Sequence, residues 1–96
     1  MSFSLQPGTD GIAVSGGMTQ ETAAGLLAAG TDALAGGNPR FDLSAVTMVD
    51  SSGLAVLFGW QRAAQTQGKA LQIVNPPRNL ISLAEVYGVS ELLTFS

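Results

Sequence analysis

The chain contains no cysteine and no histidine. The first absence removes disulfides, thiolate chemistry and zinc–sulfur sites together. The second removes the commonest general base and metal ligand. Charge is also scarce: 11% of residues are charged, and the basic ones are Arg40, Arg62, Lys69 and Arg78. Four scattered cations in a chain of formal charge −3 leave no electrostatic footprint for nucleic acid. The same shortage argues against direct attachment to an anionic bilayer. No stretch reaches the ~18 uninterrupted apolar residues that a membrane span requires. The opening "MSFSLQPGTDG" lacks the basic-then-apolar order of a secretory signal, so a cytoplasmic protein is expected. Neither a P-loop nor a GxGxxG fingerprint occurs, and the carboxylates at 10, 21, 32, 42, 50, 85 and 91 form no calcium-loop pattern. The expectation is a protein that is not an enzyme, with no cofactor and no metal.

What is present is apolar. Hydrophobic residues make up 46% of 96 residues, enough for one compact domain over 1–96 and too few for two. So little charge also implies that some surface is covered by another protein. Phe3 and Leu5 alternate with polar neighbours, and "GIAVSGG" follows the turn cluster "PGTDG", which predicts two strands joined by a hairpin-like loop. Thr19 is expected to cap a first helix with Glu21 in its first turn. Ala23, Leu26, Leu27, Gly30 and Leu34 then fall at helical spacing, and Gly36-Gly37-Asn38-Pro39 ends the element. "RFDLSAV" reads as a strand, 51–67 as a second helix stopped by Gly68, and "ALQIVN" as another strand broken by Asn75-Pro76-Pro77. Leu80, Leu83, Ala84 and Tyr87 predict a third helix stopped by Gly88, and the tail "SELLTFS" fits either a strand or a helical turn. Strands alternating with helices predict an α/β fold, a mixed sheet of four or five strands with helices packed mainly on one face.

The stretch "TMVDSSGLAVLFGWQRAA" carries the functional signal. With Ser51 at the origin of a helical wheel and ~100° per residue, Gly53, Val56, Leu57, Trp60 and Ala64 gather on the far side as a core face. The near side collects Ser51, Ser52, Ala55, Gly59, Arg62 and Thr66, with Phe58 at its margin. A solvated helix face ordinarily carries Lys, Glu and Gln. Two serines, an alanine and a glycine beside one arginine and an aromatic read instead as a face for another polypeptide. Local readings stand beside this one. Ser51 is a strong helix N-cap, Phe58 fits the core as well as an anchor, and Gly59 could relieve a contact with a neighbouring helix. Trp60 and Tyr87 are expected in the core.

At "FDLSAVTMVDSSGLAVL" the chain resembles the STAS domain family, the fold of bacterial anti-sigma factor antagonists and of transporter-attached subunits. The matching residues are Asp42, Leu43, Ser44, Val49, Asp50, Ser51, Ser52, Gly53 and Leu54. The resemblance implies that Ser51 is the phosphorylatable position. Residues 75–93, "NPPRNLISLAEVYGVSELL", are similar to the MlaB-type STAS subunits of Mla phospholipid ABC transporters. That narrower resemblance implies docking on an MlaF-like ATPase subunit, through the helix that starts at Ser51, in support of assembly and activity. It also implies a cytoplasmic location, peripheral to the inner membrane through the transporter complex. The alternative is an anti-sigma factor antagonist that binds an anti-sigma factor kinase and is switched by phosphorylation at Ser51. Many family members carry Gly-Glu-Leu-Asp before the first helix, where this chain has Gly16-Gly17-Met18-Thr19. The missing acids favour the transporter subunit.

Overall fold

The computed structural model describes residues 2–8, 11–36, 39–93 and 95. The predicted turn residues Thr9 and Asp10, and Gly37 and Asn38 after the first helix, lie outside them. The element order is β1 (Phe3–Gly8), β2 (Gly11–Met18), α1 (Ala23–Ala35), β3 (Arg40–Val49), α2 (Ser51–Thr66), β4 (Gln72–Val74) and α3 (Arg78–Val86). A short 3₁₀ turn, Ser90–Leu92, follows. The strands form one sheet in the order β1-β2-β3-β4, antiparallel between β1 and β2 and parallel thereafter. Parallel neighbours need crossover connections, which α1 and α2 supply. Phe95 makes an isolated parallel bridge to Ile73, so the tail gives both predicted outcomes, a helical turn and then a strand-like contact. No described helix is long and apolar enough to cross a membrane.

The sheet buries one face. Ile12 and Val14 of β2 and Phe41 and Leu43 of β3 are inward, while Ala13 is exposed and Asp42 half-exposed. Along β3 the buried positions are Phe41, Leu43, Val46 and Val49, a spacing that no single alternation explains. The register supplies the reason. Ala13 pairs with Asp42 but Ser15 with Ala45, and Gly16 pairs with Val46 but Gly17 with Met48. Each irregularity inserts one extra residue into β3 and shifts its inward set by one.

Trp60 organises the helical layer. Its ring is fully buried and stacks on Phe41 of β3 at a centroid distance of 4.3 Å. Its Nε1–H donates to the Leu26 carbonyl of α1 at 3.1 Å, so the buried indole is satisfied. The backbone of α1 passes directly over that ring at Gly30, where any Cβ would run into the indole. Lys69 reaches back to the last turn of α1 and donates to the Leu34 carbonyl at 2.9 Å, one of the carbonyls a helix C-terminus leaves free.

Three local expectations are corrected. Thr19 does not cap α1: the helix begins at Ala23, and Thr19–Thr22 form a turn in which the Thr22 hydroxyl accepts from the Thr19 N–H and donates to the Gly17 carbonyl. Glu21 therefore lies outside the helix. Leu27 belongs to the predicted buried stripe yet is 40% exposed: it meets α2 at Gly59 but stands at the open edge of that contact, whereas Leu26, Gly30 and Leu34 are buried. Tyr87 is 57% exposed, since α3 ends at Val86 and Gly88 turns the chain away at φ 69°.

Candidate docking face

The start of α2 is fixed by tertiary contacts at the ends of β2 and β3. The Asp50 N–H donates to the Met18 carbonyl at 3.2 Å. Gly53 lies so close to the same carbonyl that a Cβ there would collide with it. Asp50, and not Ser51, is the N-cap. Its Oδ1 accepts from the N–H groups of Ser52 (2.8 Å) and Gly53 (3.3 Å), and its Oδ2 accepts from the Gln20 N–H at 3.1 Å. One carboxylate thereby closes the helix end and holds the β2–α1 turn against it. Ser51 becomes the first helical residue and its side chain is exposed.

That geometry limits what Ser51 can do. The chain has no histidine, and both oxygens of the adjacent Asp50 already accept from backbone N–H groups. A nucleophilic serine needs an available base within hydrogen-bond reach, and Asp50 is a poor candidate for one. A phosphate on Ser51 would also find the Ser52 and Gly53 N–H groups occupied by Asp50, although a helix N-terminus ordinarily offers free donors to an anion. It would act through bulk and through repulsion from Asp50.

The remaining predicted face stays on the outside. Ser51, Ala55 and Arg62 are exposed, and Ser52, Phe58 and Gly59 are half-buried. The far side is buried as the wheel required, at Gly53, Val56, Leu57, Trp60 and Ala64, and Leu54 beside that arc is buried too. Two of the open local readings resolve here. Phe58 packs against the core with one edge and lines a surface groove with the other. Gly59 faces α1, where a Cβ would stand 2.5 Å from Leu27 Cδ1, so its smallness serves the α1–α2 approach.

Grooves flank the ridge formed by Ser51, Ala55, Phe58 and Arg62. On the α3 side, Ser51, Leu54, Ala55, Phe58, Tyr87 and Val89 enclose about 390 Å³. On the α1 side, Leu27 and Gly59 border a second groove that runs from Ser52 to Arg62. Beyond Phe58, Leu92 closes a third hollow with Gln61 and Arg62, and the Gln61 side-chain amide donates to the Leu92 carbonyl at 2.8 Å. Leu27, Tyr87 and Leu92, at 40%, 57% and 59% exposure, thus extend the face with large apolar groups. The sequence reading missed these three. A signal existed for Tyr87, which follows the last full turn before a helix-stopping glycine, but none separated Leu27 from its buried neighbours.

The STAS-domain model described as "Mlab, STAS domain" matches residues 1–94. The chain belongs to the STAS domain family. Over 52 residues this STAS domain is 35% identical to the intermembrane phospholipid transport system binding protein MlaB of Haemophilus influenzae. That alignment takes in 54% of this chain and spans half the length of the relative. Its fold matches solved anti-sigma factor antagonists. The Thermotoga maritima protein so described superposes with a TM-score of 0.75 at 17% identity, covering 97% of this chain and 84% of that one. The antagonist from Mycobacterium paratuberculosis gives 0.75 at 22%, covering 98% and 85%. SpoIIAA in its unphosphorylated form gives 0.68 at 16%, covering 99% and 87%. At such identities these likenesses establish the STAS fold and nothing about partners.

Proposed function

We propose that this STAS domain is a non-enzymatic regulatory and assembly subunit that docks on the ATPase of an Mla-type phospholipid ABC transporter. The observation that carries the reading is the exposed face of α2. It is small-residue along its ridge, bordered by exposed Leu27, Tyr87 and Leu92, and nearly free of charge. Similarity to MlaB supports the choice of partner. A protein that contributes no catalytic group can raise a partner's activity only by binding one of its conformations better than another. Docking on α2 also puts the domain in the cytoplasm, beside the inner membrane, through the complex.

Ala55 offers the direct test, because it is exposed at the centre of the ridge and touches both grooves. Ala55→Trp fills that surface without entering the core. It is expected to weaken binding to the purified ATPase by at least about 30-fold, the size of a hot-spot loss. Affinity within a few fold of wild type would remove the face as the docking site. Gly59→Trp is a poorer probe, since it displaces Leu27 and disturbs α1–α2 packing.

A second reading, an anti-sigma factor antagonist switched at Ser51, is favoured by one observation, the exposure of the Ser51 hydroxyl at the head of α2. Phosphorylation would add about −1.5 to −2 charges beside Asp50 and in the mouth of the α3-side groove. Intact-protein mass from native cells separates the readings. A phosphorylated fraction that disappears in Ser51→Ala supports the switch, and its absence across growth phases supports the transporter role.

A further inference from the structure

Among the described residues, the grooves along α2 are lined by Ser, Ala, Gly, Gln and apolar side chains, and Arg62 is the one charged group there. Arg62 borders both the Leu27 side and the Leu92 side of the ridge. Its side chain is exposed, and among the described residues no ion pair or hydrogen bond engages its guanidinium. Nor does any carboxylate of the described residues line these grooves, although the chain as a whole carries a formal charge of −3. A lone cation on a nearly uncharged docking face has a plain consequence. A partner that covers it must return the solvation it removes, or the buried charge opposes binding. The planar fork of five donors is best matched by a carboxylate held in two parallel hydrogen bonds.

We infer that the partner presents an acidic side chain to Arg62 and, about one helical turn away, an apolar side chain to the cleft between Phe58 and Tyr87. The spacing follows from the helix. Phe58 and Arg62 are four residues apart, which is roughly 6 Å along the axis of α2. The inference rests on the docking reading above and adds the chemistry of the partner's surface. An anionic bilayer is the competing source of negative charge. A single cation is too little to hold a protein on one, because each basic residue near such a surface adds only a small increment.

Titration calorimetry with the purified ATPase subunit tests this, using Arg62→Glu, Arg62→Lys and Ala55→Trp beside wild type. Arg62 is exposed, so these variants should unfold at the wild-type temperature, checked by circular dichroism. Arg62→Glu is expected to weaken binding at least about 30-fold, as a desolvated like-charge contact would. Arg62→Lys should weaken it about 5-fold, since the charge stays but the two-point geometry is lost. One Asp→Arg or Glu→Arg change on the ATPase should then recover most of the Arg62→Glu loss. If Arg62→Glu binds within two-fold of wild type while Ala55→Trp does not bind, the acidic contact is wrong and the docking face stands. If Ala55→Trp also binds normally, both fall. Failure of every acidic reversal to recover Arg62→Glu overturns the pairing. So does wild-type sedimentation with phosphatidylglycerol vesicles that Arg62→Glu abolishes.

Discussion

Asp50 ties three backbone N–H groups to one carboxylate, two at the head of α2 and one in the turn before α1. Ser51, one position on, has an exposed side chain. Loss of an N-cap side chain costs about 1–2 kcal/mol, so Asp50→Ala should lower the urea-unfolding free energy by that amount. Ser51→Ala should stay within about 0.5 kcal/mol, as exposed changes do. Equal losses for the two would mean that Ser51 shares the cap. From sequence, Asp and Ser are near-equal caps and the motif offers both in adjacent places. The choice is made by Met18, whose carbonyl receives the Asp50 N–H and fixes the helix start one residue later than Asp50. That contact lies 32 positions away in the chain, out of reach of local pattern. Gly30 is the other residue-scale constraint. Gly30→Ala would drive a methyl into the fully buried Trp60 ring and should cost about 1–3 kcal/mol, the usual penalty of overpacking, despite the better helix propensity of alanine.

At the scale of elements, α2 was legible and β3 was legible only in its first half. The wheel separated Val56, Leu57 and Trp60 from Ser51, Ala55 and Arg62 because a straight helix keeps one period from end to end. β3 changes its inward set twice where it gains residues against β2, and a two-residue alternation read from Phe41 and Leu43 loses phase after Ser44. The borders of the proposed docking face were illegible for a similar reason. Leu27, Tyr87 and Leu92 come from three other segments, and only the packing of those segments brings them beside α2. The sheet has an element-scale tie of its own. Asp42 of β3 accepts from the Ser44 N–H at 2.9 Å and from the Asn75 side-chain amide just past β4 at 3.2 Å. The Ser44 bond first, and then the Asn75 bond, hold its carboxyl below the ordinary carboxylate range. A folded value below the unfolded one means that the tie contributes above the usual carboxylate pKa and is lost as pH falls through the folded value. Asn75→Ala should therefore move the Asp42 titration midpoint upward, by NMR of its carboxyl carbon. An unmoved midpoint would show that the Asn75 bond has no part in the shift.

For the molecule as a whole, accessible area is the informative quantity. The chain exposes 5143 Å², close to the roughly 5200 Å² that a compact monomer of 9.8 kDa should show. The single chain is thus as compact as its mass predicts, and a partner on α2 would add contact to an already folded surface. The character of that contact follows from what the surface offers. Among the described residues the α2 face brings Phe58, Leu27, Tyr87 and Leu92 together with a single charge, so apolar burial and not ionic steering should dominate the association. Apolar burial has a heat-capacity signature that compensation between enthalpy and entropy does not disguise. An interface of standard size, about 60% apolar, should give a binding heat-capacity change of roughly −0.3 kcal/mol/K. Titrations of the ATPase with this STAS domain at several temperatures between 10 and 35 °C would measure it. Tyr87→Ala should make the slope less negative, because Tyr87 walls the α3-side groove and its side chain lies largely outside the core. A slope near zero, or one that Tyr87→Ala leaves alone, would mean that the complex forms through the polar and uncovered side of the sheet, where Gln6, Arg40, Asp42 and Asn75 surround a shallow hollow.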